Sequence, residues 1–126
     1  MVKVLAAPIN PSDLFFMKGY YDTVLFKINY PSAPGWEGAG IVVKSGGGFF
    51  ANRTLGKRVA FVRLVENNNE MNAGGCYQQY CLSMAMNAIP LPDSIPTEIG
   101  SMHFVNPLTA IGLLERAQSL RAQAVI

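Results

Sequence analysis

The sequence has few charged side chains. Of its 126 residues, 14% are Asp, Glu, Lys or Arg, whereas 50% are hydrophobic. A soluble domain usually carries about 25% charged residues. We therefore expect either an unusually apolar exterior or a surface that another domain or subunit partly covers. The ten Lys and Arg residues are scattered. Nucleic acid is not an expected partner, because binding it requires a clustered basic surface.

The sequence also lacks long apolar runs. None approaches the roughly 20 apolar residues that cross a bilayer, so no membrane span is predicted. Residues 1–11 do not combine a charged start with a sustained apolar core, as a signal peptide would.

Metal-binding side chains are scarce as well. The only histidine is His103, which we place on a helix, and the only cysteines are Cys76 and Cys81. Two thiols do not make a disulfide framework, so we expect free, buried or half-buried thiols in a reducing compartment. Because their positions differ by an odd number, they would point to opposite faces of one regular strand.

Short apolar runs separated by turn residues predict a small, barrel-like β domain in the first two thirds of the chain. The predicted strands are residues 2–9, 38–44, 57–65, 77–82 and 88–91. Residues 10–13 are predicted as a turn, followed by one helical turn at 14–18 that Gly19 ends. Residues 20–34 and 66–75 are predicted loops.

After Pro92 the pattern becomes helical. Ser94 is the expected cap of a helix that runs through residues 98–104. Asn106 and Pro107 predict the start of another helix, with an Asn cap and Pro at the first helical position. The apolar residues that recur at helical spacing after it are Leu108, Ile111, Leu114 and Ala117. Residues 124–126 are typical of the opening of a strand. The predicted fold class is α+β, mainly β with helices.

Four local patterns, each weak alone, together resemble a known family. They are residues 9–13 (Ile-Asn-Pro-Ser-Asp), 19–21 (Gly-Tyr-Tyr), 34–40 (Pro-Gly-Trp-Glu-Gly-Ala-Gly) and 105–110 (Val-Asn-Pro-Leu-Thr-Ala). Their order and spacing resemble the N-terminal domain of the medium-chain dehydrogenase/reductases. The resemblance is strongest to the zinc-independent quinone oxidoreductases and 2-enoyl thioester reductases. It implies a GroES-like, partly open β-barrel followed by helices that lead to a truncated Rossmann strand.

The residue types argue against zinc. A catalytic zinc site needs three N, S or O ligands and an open position. Zinc-binding members of the family carry Cys where this chain has Asn10, and His where it has Trp36. Neither replacement is a usable ligand, and the family's four-cysteine structural zinc loop is absent. We therefore expect no metal site.

Without a metal, another group must polarise the substrate carbonyl, and Tyr21 is the catalytic candidate. A phenol stays protonated at neutral pH and donates one hydrogen bond. It is suited to stabilise an enolate or to deliver a proton. The resemblance implies this role for the tyrosine of the Gly-Tyr-Tyr pattern. The structural alternative is that Tyr21 packs the edge of the domain.

Asn10 and Thr109 are the cofactor-binding candidates. The resemblance implies that the Asn10 amide meets substrate or nicotinamide and that Thr109 lies beside the nicotinamide. The alternatives are a turn-forming Asn before Pro, and a helical Thr whose hydroxyl bonds back to the preceding turn. Phe15 stands where some quinone reductases have a second tyrosine, which leaves any acid role to Tyr21.

The glycine run at residues 46–48 does not predict a phosphate-binding loop. We see no helix-forming run after it, and no Gly-Lys-Ser/Thr follows. Residues 35–40 lead into a strand rather than out of one, so neither stretch is a dinucleotide fingerprint.

The predicted division is a GroES-like catalytic domain at residues 1–92, then a helical connection at 93–126 that begins a missing nucleotide-binding domain. The first hypothesis is the substrate-binding half of an oxidoreductase that uses NADP or NAD to reduce a quinone or an enoyl thioester. Such a fragment should be inactive alone. The alternative is a non-catalytic structural or interaction subunit. Expected partners are a small-molecule substrate, the missing Rossmann domain or a partner chain, and a second copy. The expected compartment is cytoplasmic or mitochondrial.

Overall fold

A computed structural model describes residues 1–21, 28, 30–65 and 74–121. Its centre is an antiparallel sheet of five strands in the order β4-β1-β2-β3-β5. The strands are β1 (Val2–Ala6), β2 (Glu37–Val42), β3 (Arg58–Val62), β4 (Tyr80–Cys81) and β5 (Ala88–Pro90). In the described part of the chain β4 and β5 form the two edges, so the sheet does not close. The predicted α+β class is confirmed.

The described residues also form four helices: α1 (Pro11–Met17), α2 (Phe49–Thr54), α3 (Thr97–Gly100) and α4 (Val105–Ser119). A single 3₁₀ turn, Ala85–Asn87, precedes β5. No helix within the described ranges is long and apolar enough to cross a membrane.

The main core contains apolar side chains from all five strands and from the segment before β4. Its buried members are Val2, Val42, Val59, Phe61, Cys76, Cys81 and Ala88. A second, smaller cluster joins Phe16 of α1 to Ile28, with Tyr21 and Trp36 packed against it. This second cluster holds the predicted catalytic tyrosine.

Several predicted boundaries were wrong. Helix α1 begins at Pro11 rather than three residues later, because Asn10 caps it and Pro11 is its first residue. The glycine run is followed by α2, a helix of only six residues that begins after Gly48. Ser94 caps nothing, because α3 starts after Pro96. His103 lies in a bend rather than on a helix.

The strands are shorter than predicted. Two predicted segments lie largely or wholly outside the residues that the structure describes. Strand β1 ends at Ala6, and β4 has only two residues. Cys76 therefore precedes the strand that holds Cys81, and both thiols enter the same core rather than opposite faces. Most of the loop predicted at 66–75 and the strand predicted at 124–126 lie outside the described residues.

Strand β2 is almost wholly buried, and its small residues allow its neighbours to approach closely. Gly40 pairs with Val4 of β1, and a Cβ placed on Gly40 would collide with the carbonyl oxygen of Lys3. Gly46, in the turn after β2, has no atom within 4 Å of such a Cβ.

We predict that Gly40→Ala lowers the free energy of unfolding by about 1–3 kcal/mol, because the strands must shift to accept the methyl group. The matched control, Gly46→Ala, should leave the free energy of unfolding unchanged. Urea denaturation of both variants followed by circular dichroism measures the difference. Equal midpoints would contradict the close approach of β1 and β2.

Candidate functional site

Asn10 lies at the N-terminus of α1 and is buried, with 3% of its surface exposed. Its backbone N–H donates to Oδ2 of Asp13 at 2.7 Å. This bond satisfies one of the amides that a helix start leaves free. The side chain of Asn10 is thereby turned away from the helix and toward β2.

Glu37, the first residue of β2, has no exposed surface. Its Oε1 accepts a hydrogen bond from Nδ2 of Asn10 at 3.2 Å. Its Oε2 accepts from the backbone N–H groups of Phe104 at 2.8 Å and Val105 at 3.0 Å. The carboxylate therefore sits at the N-terminus of α4, where the helix dipole favours a negative charge.

Helix α4 begins at Val105 rather than after an Asn106 cap, so that prediction was wrong. The cap is Glu37, which lies 67 residues before Phe104. Asn106 instead donates from Nδ2 to Oδ1 of Asn10 at 3.0 Å. Asn10 is thus held from both sides. In the described part of the chain one of its amide hydrogens and one oxygen lone pair remain uncommitted.

Tyr21 packs against the second cluster. Its ring meets Trp36 edge-on, with centroids 5.3 Å apart, and Trp36 in turn meets Phe16 edge-on at 5.9 Å. The structure gives the phenol no hydrogen-bond partner among the described residues. The ring is fixed by packing while its O–H is available to a ligand.

Thr109 lies one turn into α4 and is exposed. Its Oγ1 donates to the carbonyl oxygen of Val105 at 2.6 Å. Because that bond uses its single hydrogen, the hydroxyl can offer a ligand only an acceptor. The structure brings Asn10 to the start of α4, and Tyr21 joins this region through Trp36, the neighbour of Glu37. No described contact links Tyr21 with Asn10 or Thr109.

Sequence reasoning gave no role to two buried charged residues, Glu37 and Arg63, or to the half-buried Tyr77. Glu37 appeared only as part of the pattern at residues 34–40. A charged residue in an apolar, Gly-rich strand nevertheless indicates a buried charge that needs hydrogen-bond partners. Arg63, directly after β3, is 1% exposed. Tyr77 donates its one hydroxyl hydrogen to Asp13 Oδ2 at 3.0 Å or to the Pro8 carbonyl at 2.9 Å. Burial and the Asp13 carboxylate raise the pKa of Tyr77, so it remains a donor.

The chain is similar to known proteins along most of its length. Residues 1–93 match the family described as the alcohol dehydrogenase GroES-like domain. Over 121 residues the chain is 31% identical to the mitochondrial enoyl-acyl-carrier-protein reductase of Xenopus tropicalis, covering 95% of this chain and 31% of that protein.

Two solved structures are similar in fold and sequence, and both are assigned as NADPH:quinone reductases. The one from Mesorhizobium loti has a TM-score of 0.79 and 36% identity, covering 94% of this chain and 32% of that one. The one from Bacillus thuringiensis has a TM-score of 0.71 and 34% identity, covering 97% and 32%. The chain thus spans about a third of the length of these relatives. The resemblance predicted from the sequence is confirmed.

We predict that Glu37→Ala lowers the free energy of unfolding by about 3 kcal/mol, because it leaves two part-buried N–H groups and the buried Asn10 amide without an acceptor. Glu37→Gln keeps an acceptor and should cost about 1 kcal/mol, through the lost charge at the helix start. The control, Glu98→Ala on the exposed side of α3, should change nothing. Thermal unfolding compares the three, and equal effects of Glu37→Ala and Glu98→Ala would contradict the role of Glu37.

Proposed function

Because the chain belongs to the alcohol dehydrogenase GroES-like domain family, we propose that it forms the substrate-binding half of an NAD(P)H-dependent oxidoreductase. The substrate class is a conjugated carbonyl, either a quinone or an enoyl thioester. The names of the relatives support this class, since they are an enoyl reductase and two NADPH:quinone reductases. The single observation that carries the proposal is the Tyr21 hydroxyl, which has no hydrogen-bond partner among the described residues, on a ring fixed by Trp36.

The proposed division places the catalytic domain at residues 1–92 and a helical connection at 93–126. The family match, which covers residues 1–93, supports this boundary. Helix α4 has no buried residue, and Leu108, Ile111 and Leu114 are each more than half exposed. An apolar helix face of this kind fits a nucleotide-binding domain or a partner chain packed against it. A second copy of the chain is the other candidate.

The described residues fit the nicotinamide end of the cofactor. Bound there, the nicotinamide supplies a hydride to the β-carbon of the substrate. Asn10, with one amide hydrogen uncommitted, would donate to its carboxamide or to the substrate. Thr109 would accept a hydrogen bond from the carboxamide N–H. The pyrophosphate needs a Gly-rich turn that follows a strand and opens a helix, and the described residues contain no such site.

Tyr21 would donate its hydrogen bond to the carbonyl oxygen of the substrate, where negative charge develops during reduction. A donor placed in advance costs no reorganisation when that charge appears. The same O–H can then deliver a proton.

We propose that the reaction needs no zinc. The Asn10 amide is committed to Glu37 and Asn106, and an indole is not a zinc ligand. Cys76 and Cys81 lie beside the buried guanidinium of Arg63, whose positive charge opposes a divalent cation. Within the described ranges, His, Cys, Asp and Glu form no group of three suited to a metal.

The second candidate function is a non-catalytic interaction subunit, which the exposed face of α4 favours. Both candidates fit a reducing compartment, either the cytoplasm or the mitochondrion, because the two cysteines are free and one relative is named as mitochondrial.

We predict that Tyr21→Phe, in a protein that joins this chain to its nucleotide-binding half, lowers kcat by about 100-fold, because it removes the donor to the developing negative charge. The Kd for NADPH should be unchanged. Tyr20→Phe is the matched control, because the Tyr20 ring is exposed and packs on Phe15. Steady-state reduction of a quinone and of an enoyl thioester measures both variants. Equal kcat values would favour the interaction subunit.

A further inference from the structure

The two cysteines lie together inside the main core. Their Sγ atoms are 3.9 Å apart, and each residue is 1% exposed. Cys76 is held before β4 by its backbone N–H, which donates to the Gly35 carbonyl at 3.0 Å. Cys81 is held on β4 by its pairing with Val2 of β1. Backbone contacts therefore place the two thiols face to face.

A buried cation lies beside this pair. Arg63 is 1% exposed, and its guanidinium lies 5.3 Å from the ring centre of Phe16 and 5.7 Å from that of Trp36. None of its three side-chain nitrogens has a hydrogen-bond partner in the described part of the chain. Burial lowers the pKa of Arg63, whereas Cys81, Cys76 and Asp13 act on it as negative groups.

A guanidinium buried without an acceptor is costly unless an opposite charge lies near it. Asp13 is one such group: its Oδ2 accepts a hydrogen bond from the Asn10 backbone, and its buried Oδ1 has no hydrogen-bond partner among the described residues. The sulfurs are the other nearby groups able to carry negative charge. A thiolate is also the form of cysteine that reacts with oxidants.

We infer that Cys76 and Cys81 form a redox-active dithiol, in which Cys81 is the sulfur that attacks the oxidant and Cys76 is the sulfur that completes the disulfide. The directions of the pKa shifts agree with this assignment. The hydrogen bond from Cys76 and the charge of Arg63 lower the pKa of Cys81. The hydrogen bond to Cys81 and burial raise the pKa of Cys76.

The oxidant that fits this buried site is a small hydroperoxide. The Cys81 thiolate attacks one oxygen of hydrogen peroxide, the O–O bond breaks, and sulfenic acid and hydroxide form. The Cys76 sulfur then attacks the Cys81 sulfur. The S–S bond forms, the S–O bond breaks, and the sulfenic hydroxyl leaves with the Cys76 proton as water. Each sulfur loses one electron, and the peroxide gains two.

The test is the mass of the intact chain after the reduced protein has been treated with hydrogen peroxide and then unfolded in N-ethylmaleimide. We expect the loss of two hydrogens and no maleimide adduct. Because the chain has two cysteines, an intrachain disulfide can only join Cys76 to Cys81. Two maleimide adducts, or oxygen adducts without the disulfide, would overturn the proposal.

Matched variants assign the roles of the two thiols. In Cys76→Ser, Cys81 should stop at a sulfenic acid that dimedone traps, whereas in Cys81→Ser, Cys76 should stay reduced. Equal oxidation of the two would overturn the assignment. Arg63→Met, with folding checked by circular dichroism, should slow disulfide formation by about tenfold, the effect of a thiolate fraction one tenth as large. If Arg63→Met does not fold, the two cysteine variants still test which thiol attacks the peroxide.

Discussion

The Glu37 carboxylate joins three separate parts of the chain. It begins β2, accepts the side chain of Asn10 at the start of α1, and caps α4 through two backbone amides. No exposed surface remains on it, so its charge is compensated by donors of the protein itself. Because α4 has no buried residue of its own, the position of its first turn depends on this junction more than on apolar packing. The orientation of the Asn10 side chain follows from its bonds to Glu37 and Asn106.

The second cluster adds a different constraint. Arg63 lies against Phe16 and Trp36, and Trp36 fixes the ring of Tyr21. Tyr21, the predicted catalytic residue, is thus supported by Trp36, and Trp36 in turn lies against the buried cation Arg63. Aromatic faces tolerate a guanidinium, but they do not neutralise it. Asp13 acts on Arg63 as a negative group. Under the proposed assignment the Cys81 thiolate does so as well, so the redox state of the thiols would bear on this cluster.

Local patterns were enough to predict the strands and the α+β class, because apolar runs between Gly- and Pro-rich turns depend only on neighbouring residues. The family resemblance, rather than composition, supplied Asn10, Tyr21 and Thr109. The start of α4 was misassigned because its cap comes from Glu37, a distant part of the sequence. Helix α2 was missed because six residues give too little periodicity. The contact between Cys76 and Cys81 inside the core depends on the pairing of β4 with β1, which local patterns do not show.

The measurement that tests the Glu37 junction most directly is amide hydrogen exchange, followed residue by residue by NMR. The first amides of a helix ordinarily lack partners inside the helix and exchange quickly. Our account predicts that the Phe104 and Val105 amides are strongly protected, and that Glu37→Ala speeds their exchange while the amides of β2 and β3 change little. Rapid exchange of the Phe104 and Val105 amides in the unaltered chain would contradict it, because Glu37 would then not hold the start of α4.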